Sequence, residues 1–202
     1  GLTVNICVAL MMVLFRQSYL EFSIIVLCII IMSVSSLFYI IGGQFIIGKL
    51  LLLVPISGYD TGINAYKFLI LPVLISVVSG IGAGARWYRT LFLEEIEQDY
   101  VRTARAKGLT ETQVLFKHVL KNAMIPILTG VVVILPLLFM GSLITESFFS
   151  IPGLGSYTID AIKSQDFAIV RAMVFLGSVL YIIGLLLTDI SYTLVDPRVR
   201  LS

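Results

Sequence analysis

The sequence predicts an all-α, polytopic membrane protein with five transmembrane helices in view and one long polar loop. Three observations carry this. Of 202 residues 58% are hydrophobic and only 13% charged, against roughly 25% charged in soluble domains. Four apolar stretches, 22–42, 68–85, 125–145 and 167–188, approach the 20 or so residues that a hydrocarbon core requires of a helix. The basic residues also sort by loop, as they do across a membrane.

A fifth apolar stretch, 1–15, comes first, is short, and opens on glycine rather than methionine. It is expected to be the remainder of a span that begins upstream, and a sixth span is expected to be missing before it at the N-terminus. The lack of a signal peptide therefore carries no weight. Cys7 and Cys28 each stand inside an apolar run and are read as small buried side chains, with no disulfide framework.

In the second stretch Ser33 and Ser36 fall on one side of a helix, and in the third Ser76 and Ser79 do so with Gly80. These four serines are candidate pathway-lining residues. The competing reading is that small residues let helices approach closely. Between the two stretches lies "GQFIIGKLLL", 43–52, which has the glycine and lysine spacing of a phosphate-binding loop. Such a motif needs Ser or Thr after the lysine and a strand before it; the position is Leu50, and a loop with two glycines where the chain re-enters or leaves the membrane is expected instead.

Placing 86–122 in the cytoplasm puts Arg16, Arg86, Arg89, Arg102, Arg105, Lys107, Lys117, Lys121, Arg198 and Arg200 inside, ten of the fourteen Lys and Arg, and leaves Lys49, Lys67, Lys163 and Arg171 outside. Within that loop "LFLEEIEQDYVRTARAK" reads as one helix, acidic at its start and basic at its end, as the helix macrodipole favours. Gly108 is expected to stop it in a left-handed conformation. Thr110 and Gln113 have capping-box spacing, and Leu109 with Val114 stands at staple positions, so a second helix should start at once. Its apolar face, Leu115, Phe116, Val119, Leu120 and Ala123, should lie along the membrane surface until Pro126 starts the next span. A glycine stop followed directly by a capped helix makes a rigid corner, which suits docking to a partner.

Beyond the fourth stretch, "IPGLG", 151–155, reads as a tight outer turn followed by a short helix through Lys163. Glu146 and Arg171 sit near outer span ends, where interfacial placement is the cheaper explanation. Asp189 follows "IIGLLLT" at the inner end of the last stretch and is expected to pair with a cytoplasmic arginine. His118, the only histidine, has no ligand-spaced neighbour, and no metal site is expected.

The run "DYVRTARAKGLTETQVLFKHVLKNAMIPI" resembles the cytoplasmic loop of ABC importer permeases, in particular the dipeptide and oligopeptide permease group that also holds nickel and glutathione importers. "PGLGSYTIDAI" and the tail "DISYTLVDPRVR" resemble the same group. Arg102, Thr103 and Ala104 stand at the Glu-Ala-Ala positions of the general permease pattern; Leu120 matches its later leucine, and Lys121 replaces its proline.

The resemblance implies one permease domain over 1–202 with 86–122 as its cytoplasmic coupling segment, in a bacterial cytoplasmic membrane. It implies ATPase coupling through Ala104, Arg105, Ala106, Lys107, Gly108 and Leu109. It further implies a second homologous permease subunit, two cytoplasmic ATPase subunits that perform the hydrolysis, and an external substrate-binding protein. Peptide is the expected cargo, with nickel, glutathione or another small solute as alternatives. Apart from membrane lipid no further partner is expected; a net charge of +2 does not suggest nucleic acid, and no cofactor or catalytic residue is expected. A secondary transporter would show paired intramembrane charges or broken helices, and a membrane hydrolase would show a nucleophile with its base; neither is evident in the sequence.

Overall fold

The computed structural model describes residues 1–62 and 64–195. All regular structure among them is helical: α1 (Leu2–Leu14), α2 (Tyr19–Ser33), α3 (Ser36–Gly43) running into a wider π-helical stretch (Gln44–Leu50), α4 (Ala65–Ile96), α5 (Asp99–Ala106), α6 (Glu111–Val114), a second π-helical stretch (Leu115–Val119), α7 (Leu120–Leu138), α8 (Leu143–Phe149), α9 (Leu154–Lys163) and α10 (Phe167–Val195). Three helices are long and apolar enough to cross a membrane: Ala65–Ile96, Glu111–Pro136 and Phe167–Ile190. A bent pair, Tyr19–Ser33 with Ser36–Leu50, has that length and apolarity only when its two helices are taken together, and Leu2–Leu14 is apolar but shorter. All five apolar stretches thus return as helices.

Two compact units divide the chain. The first comprises Gly1–Tyr39 and Val73–Ile127. Its core joins Ala9, Met12, Cys28, Ala85, Phe92, Val101, Val114, Val119, Ala123 and Ile127. Gly82 lets α4 lie on α2, since a Cβ there would fall 2.6 Å from the Cys28 carbonyl oxygen. Cys28 is buried as expected, whereas Cys7 is exposed on α1. The second unit comprises Ile40–Pro72 and Leu128–Ser202. In it α9 packs against both α8 and α10, and Gln44 Nε2 donates to the carbonyls of Ile56 and Phe148.

Five expectations about the helices need correction. The second apolar stretch is not one straight helix: α2 and α3 meet at 86°. Val34 is extended, Ser33 Oγ donates to the Ile29 carbonyl, and Ser35 Oγ accepts from Leu37 N–H. Serines that satisfy backbone groups locally compete with the helix. Residues 43–50 are helical rather than a loop, and Gly48 serves close approach, a Cβ there falling 2.9 Å from Ile56 Cγ1.

The acidic-to-basic helix is also divided, α4 ending at Ile96 and α5 starting at Asp99. Phe92, Ile96, Val101 and Ala104 are all buried. On one straight helix Ile96 and Val101 would point about 140° apart at 100° per residue, so the break brings both pairs to one core. Next, the helix after the corner and the span that follows it are one continuous helix. It continues through Pro126 as Glu111–Pro136, because Leu115, Val119, Ala123 and Ile127, at i+4 spacing, are buried as one seam in the first unit's core. The fourth stretch ends early, at Leu138, where Gly141 (φ +68°) turns the chain and the Ser142 hydroxyl caps α8.

Candidate functional site

The α5–α6 corner is built from local rules. Gly108 has φ +81°, a left-handed conformation, and a Cβ there would meet nothing within 4 Å. Glycine is required by the backbone angle, not by crowding. Gly108 N–H donates to the Arg105 carbonyl at 2.9 Å and Leu109 N–H to the Ala104 carbonyl at 3.4 Å, which satisfies the last carbonyls of α5. On the other side Thr110 Oγ1 accepts from Gln113 N–H while Gln113 Oε1 accepts from Thr110 N–H, the expected capping box.

A bidentate ion pair closes the corner. Arg105 Nε donates to Glu111 Oε1 at 2.7 Å and an Arg105 Nη to Glu111 Oε2 at 3.1 Å. The planar guanidinium holds both oxygens at once, which fixes orientation as well as distance. Glu111 was missed in the sequence, where only the i+6 spacing across a predicted glycine stop signals it. Below the corner, the Tyr100 hydroxyl donates to Glu95. Burial, and then the hydrogen bond to that carboxylate, push the phenol up to about 12, offset in part by a hydrogen bond with Asn122.

The six coupling candidates divide by exposure. Ala104 is buried and Leu109 packs against the same core, so these two anchor the corner. Arg105 is half-buried, and Ala106, Lys107 and Gly108 are exposed. Arg102 and Thr103, also exposed, extend the outward face.

Ser33 and Ser36 flank the break between α2 and α3 and share no helix face. Ser79 Oγ donates to the Ser76 carbonyl within α4, and the small residue that meets α2 is Gly82 rather than Gly80. An ion pair that sequence reasoning missed lies elsewhere in this unit. Arg89 Nε donates to Glu21 Oε1 at 3.0 Å, and Gln17 N–H donates to Glu21 Oε2. The signal was the Ser18-x-x-Glu21 spacing of a helix start, with Ser18 capping α2.

In the second unit α9 runs from Leu154 through Lys163, as expected. Glu146 is not merely interfacial: it is half-buried, with Oε1 accepting from Ser142 N–H and Oε2 from Ser156 N–H, both at 3.0 Å. Arg171 Nε donates to the Phe167 carbonyl on α10. Asp189 is exposed and makes no ion pair with an arginine among the described residues. Arg198, Arg200 and the "DPRVR" end of the tail lie outside those residues.

Residues 5–201 match the family described as "Binding-protein-dependent transport system inner membrane component". The chain is 42% identical over 151 residues to "Probable peptide ABC transporter permease protein y4tP" of Sinorhizobium fredii, covering 72% of this chain and 48% of that protein. It is 40% identical over 132 residues to the oligopeptide transport system permease protein AppB of Bacillus subtilis, covering 65% and 42%. It is 37% identical over 166 residues to the dipeptide transport system permease protein DppB of Lactococcus lactis subsp. cremoris, covering 78% and 54%. The chain spans about half the length of these curated relatives.

Proposed function

Because the chain belongs to the binding-protein-dependent transport system inner membrane components, we propose that it works as the permease subunit of an ATP-driven ABC importer that moves short peptides across a bacterial cytoplasmic membrane. It forms the route and makes no covalent chemistry; two cytoplasmic ATPase subunits hydrolyse ATP, a second homologous permease completes the pathway, and an external binding protein delivers cargo. The observation that carries this reading is the corner at Gly108. Its buried side is anchored through Ala104 and Leu109, while Ala106, Lys107 and Gly108 face outward on a frame held by the Arg105–Glu111 fork. A rigid protrusion of this kind converts a push from a docked ATPase into rigid-body motion of the helices it continues into. The helix leaving the corner passes through the π-helical stretch into α7, so a push at its start is delivered to an apolar helix of span length.

Peptide is favoured as cargo because the relatives above carry that word in their names. The bent pair at Ser33–Ser36 is a feature that secondary transporters also use. Among the described residues it is the one bent pair of span length, without the counterpart that an inverted repeat would supply.

The intact complex, reconstituted with its binding protein, tests the proposal. Peptide-loaded binding protein is expected to stimulate ATP hydrolysis by about tenfold or more, a difference of about 1.4 kcal/mol in barrier. Stimulation by nickel-loaded or glutathione-loaded binding protein alone would overturn the peptide assignment. Uptake that proceeds without any ATPase subunit would overturn the importer class.

A further inference from the structure

We propose that Glu146 is a positioning residue for transport: its carboxylate clamps α8 to α9 into one rigid corner. This rests on the importer reading above. The two oxygens are spent on opposite sides of the turn, Oε1 on Ser142 N–H at the start of α8 and Oε2 on Ser156 N–H in the first turn of α9. Donors at a helix start carry partial positive charge and have no partner within the helix, and one carboxylate satisfies a donor at each of two such starts. Its own backbone continues the tie, with Ile151 N–H donating to the Glu146 carbonyl at 2.9 Å.

Three glycines border this carboxylate, and one of them, Gly155, also faces the Ser142–Leu143 backbone. A Cβ on Gly141 would fall 2.8 Å, and one on Gly153 2.6 Å, from the Glu146 carboxyl carbon; one on Gly155 would fall 2.8 Å from Oε2. Gly153 is the informative one. Its φ of −164° is open to any residue, and all three of the nearest atoms to its missing Cβ belong to Glu146. The glycines of "PGLG" are therefore needed, at Gly153, for the space that a side chain seven residues earlier occupies.

The clamp also shapes what stands beside it. An open cleft of about 550 Å³ is lined by Glu146 together with Ser147, Ser150, Tyr157, Asp160 and Lys163. Phe149 is buried below, its carbonyl accepting from Gly58 N–H at 2.8 Å, and Phe148 accepts from Gln44. Releasing the carboxylate loosens α9 from α8 and so deforms a cleft whose walls come from both helices and the turn between them.

The test uses the intact complex in lipid nanodiscs and proteoliposomes. Glu146→Gln keeps the size but turns an NH2 toward one of the two backbone donors. It is expected to lower peptide imported per ATP hydrolysed by about tenfold, the scale of a lost charge-assisted hydrogen bond, with assembly and basal hydrolysis as in the parent. Amide exchange at Ser142 and Ser156 should quicken by a similar factor in that variant. Gly153→Ala should damage coupling in the parent but add nothing in a Glu146→Ala background, because the clash partner is then gone. Parent-like coupling and exchange in Glu146→Gln would overturn the clamp, as would equal damage from Gly153→Ala in both backgrounds. If the parent complex imports no peptide, the importer reading has failed, and the exchange measurement still decides the clamp.

Discussion

Two glycine-bearing corners of this protein, α5–α6 and α8–α9, solve the same geometric problem by different physics. At the first, Gly108 is needed for its backbone angle: φ is +81° and the space around its missing Cβ is empty. At the second, Gly153 is needed for room: φ is −164° and the space is filled by Glu146. The ionic ties differ in parallel. Arg105 and Glu111 pair side chain to side chain with Glu111 largely exposed, whereas Glu146 binds backbone donors and is half-buried. The same residue type in a turn thus reports two constraints, and only one of them is visible in local sequence.

The largest expected effect concerns the sides to which the two corners are assigned. With Cys7 and Cys28 replaced, single cysteines at Thr61 and Ser164 are expected to react with a membrane-impermeant maleimide added outside intact cells, and one at Thr112 not to react. All three positions are exposed, so burial does not confound the result. Labelling at Thr112 alone would invert the orientation and remove the α5–α6 corner from the cytoplasm.

The next effect separates angle from room. Gly108→Val places a β-branched residue in the left-handed region at a cost on the order of 1–3 kcal/mol, and coupled ATP hydrolysis should fall by about tenfold or more, since 1.4 kcal/mol is a factor of ten. Gly108→Asn should retain most of the coupling, because asparagine tolerates that conformation. Equal loss in both variants would show that space, not angle, limits this corner as it does the other.

The smallest effect concerns the fork. Glu111→Gln removes an exposed pair worth about 0.2–1 kcal/mol. Exchange of the Gly108 and Leu109 amides should rise by about two- to fivefold in low salt and converge with the parent near 1 M, where screening acts within about 3 Å. Exchange at Ser142 and Ser156 should not follow this variant. A salt-independent change at Gly108 would show that Glu111 acts through packing rather than charge.

Much of the α5–α6 corner was legible in advance. Its glycine stop, capping box and basic helix end follow from residues within a few positions of one another, and the structure returns each of them. The Arg105–Glu111 fork was not legible, because it joins side chains across a turn whose path must be known first. In the α8–α9 corner the "PGLG" turn and the helix to Lys163 were legible, but Glu146 was assigned only to an interface. Its partners are two backbone N–H groups, which no residue type announces.

Consecutive residues are enough to set the class of this protein: apolar stretches of span length, an all-helical chain, loops in which basic residues gather, and the local stops and caps. These depend on hydrophobicity and on contacts within a turn or two, both of which are properties of consecutive residues. Only the tertiary structure decided where the helices are cut and what they bury. The break between Ile96 and Asp99, the passage of one helix through Pro126, and the 86° bend after Ser33 all lie inside runs whose composition permits a helix to continue or to stop. The choice at Ile96 follows from the need to bring Phe92, Ile96, Val101 and Ala104 to one core, and at Pro126 from the single buried seam of Leu115, Val119, Ala123 and Ile127. Burial in a shared core is a relation among segments distant in sequence, and close packing resolves what local propensity leaves nearly balanced.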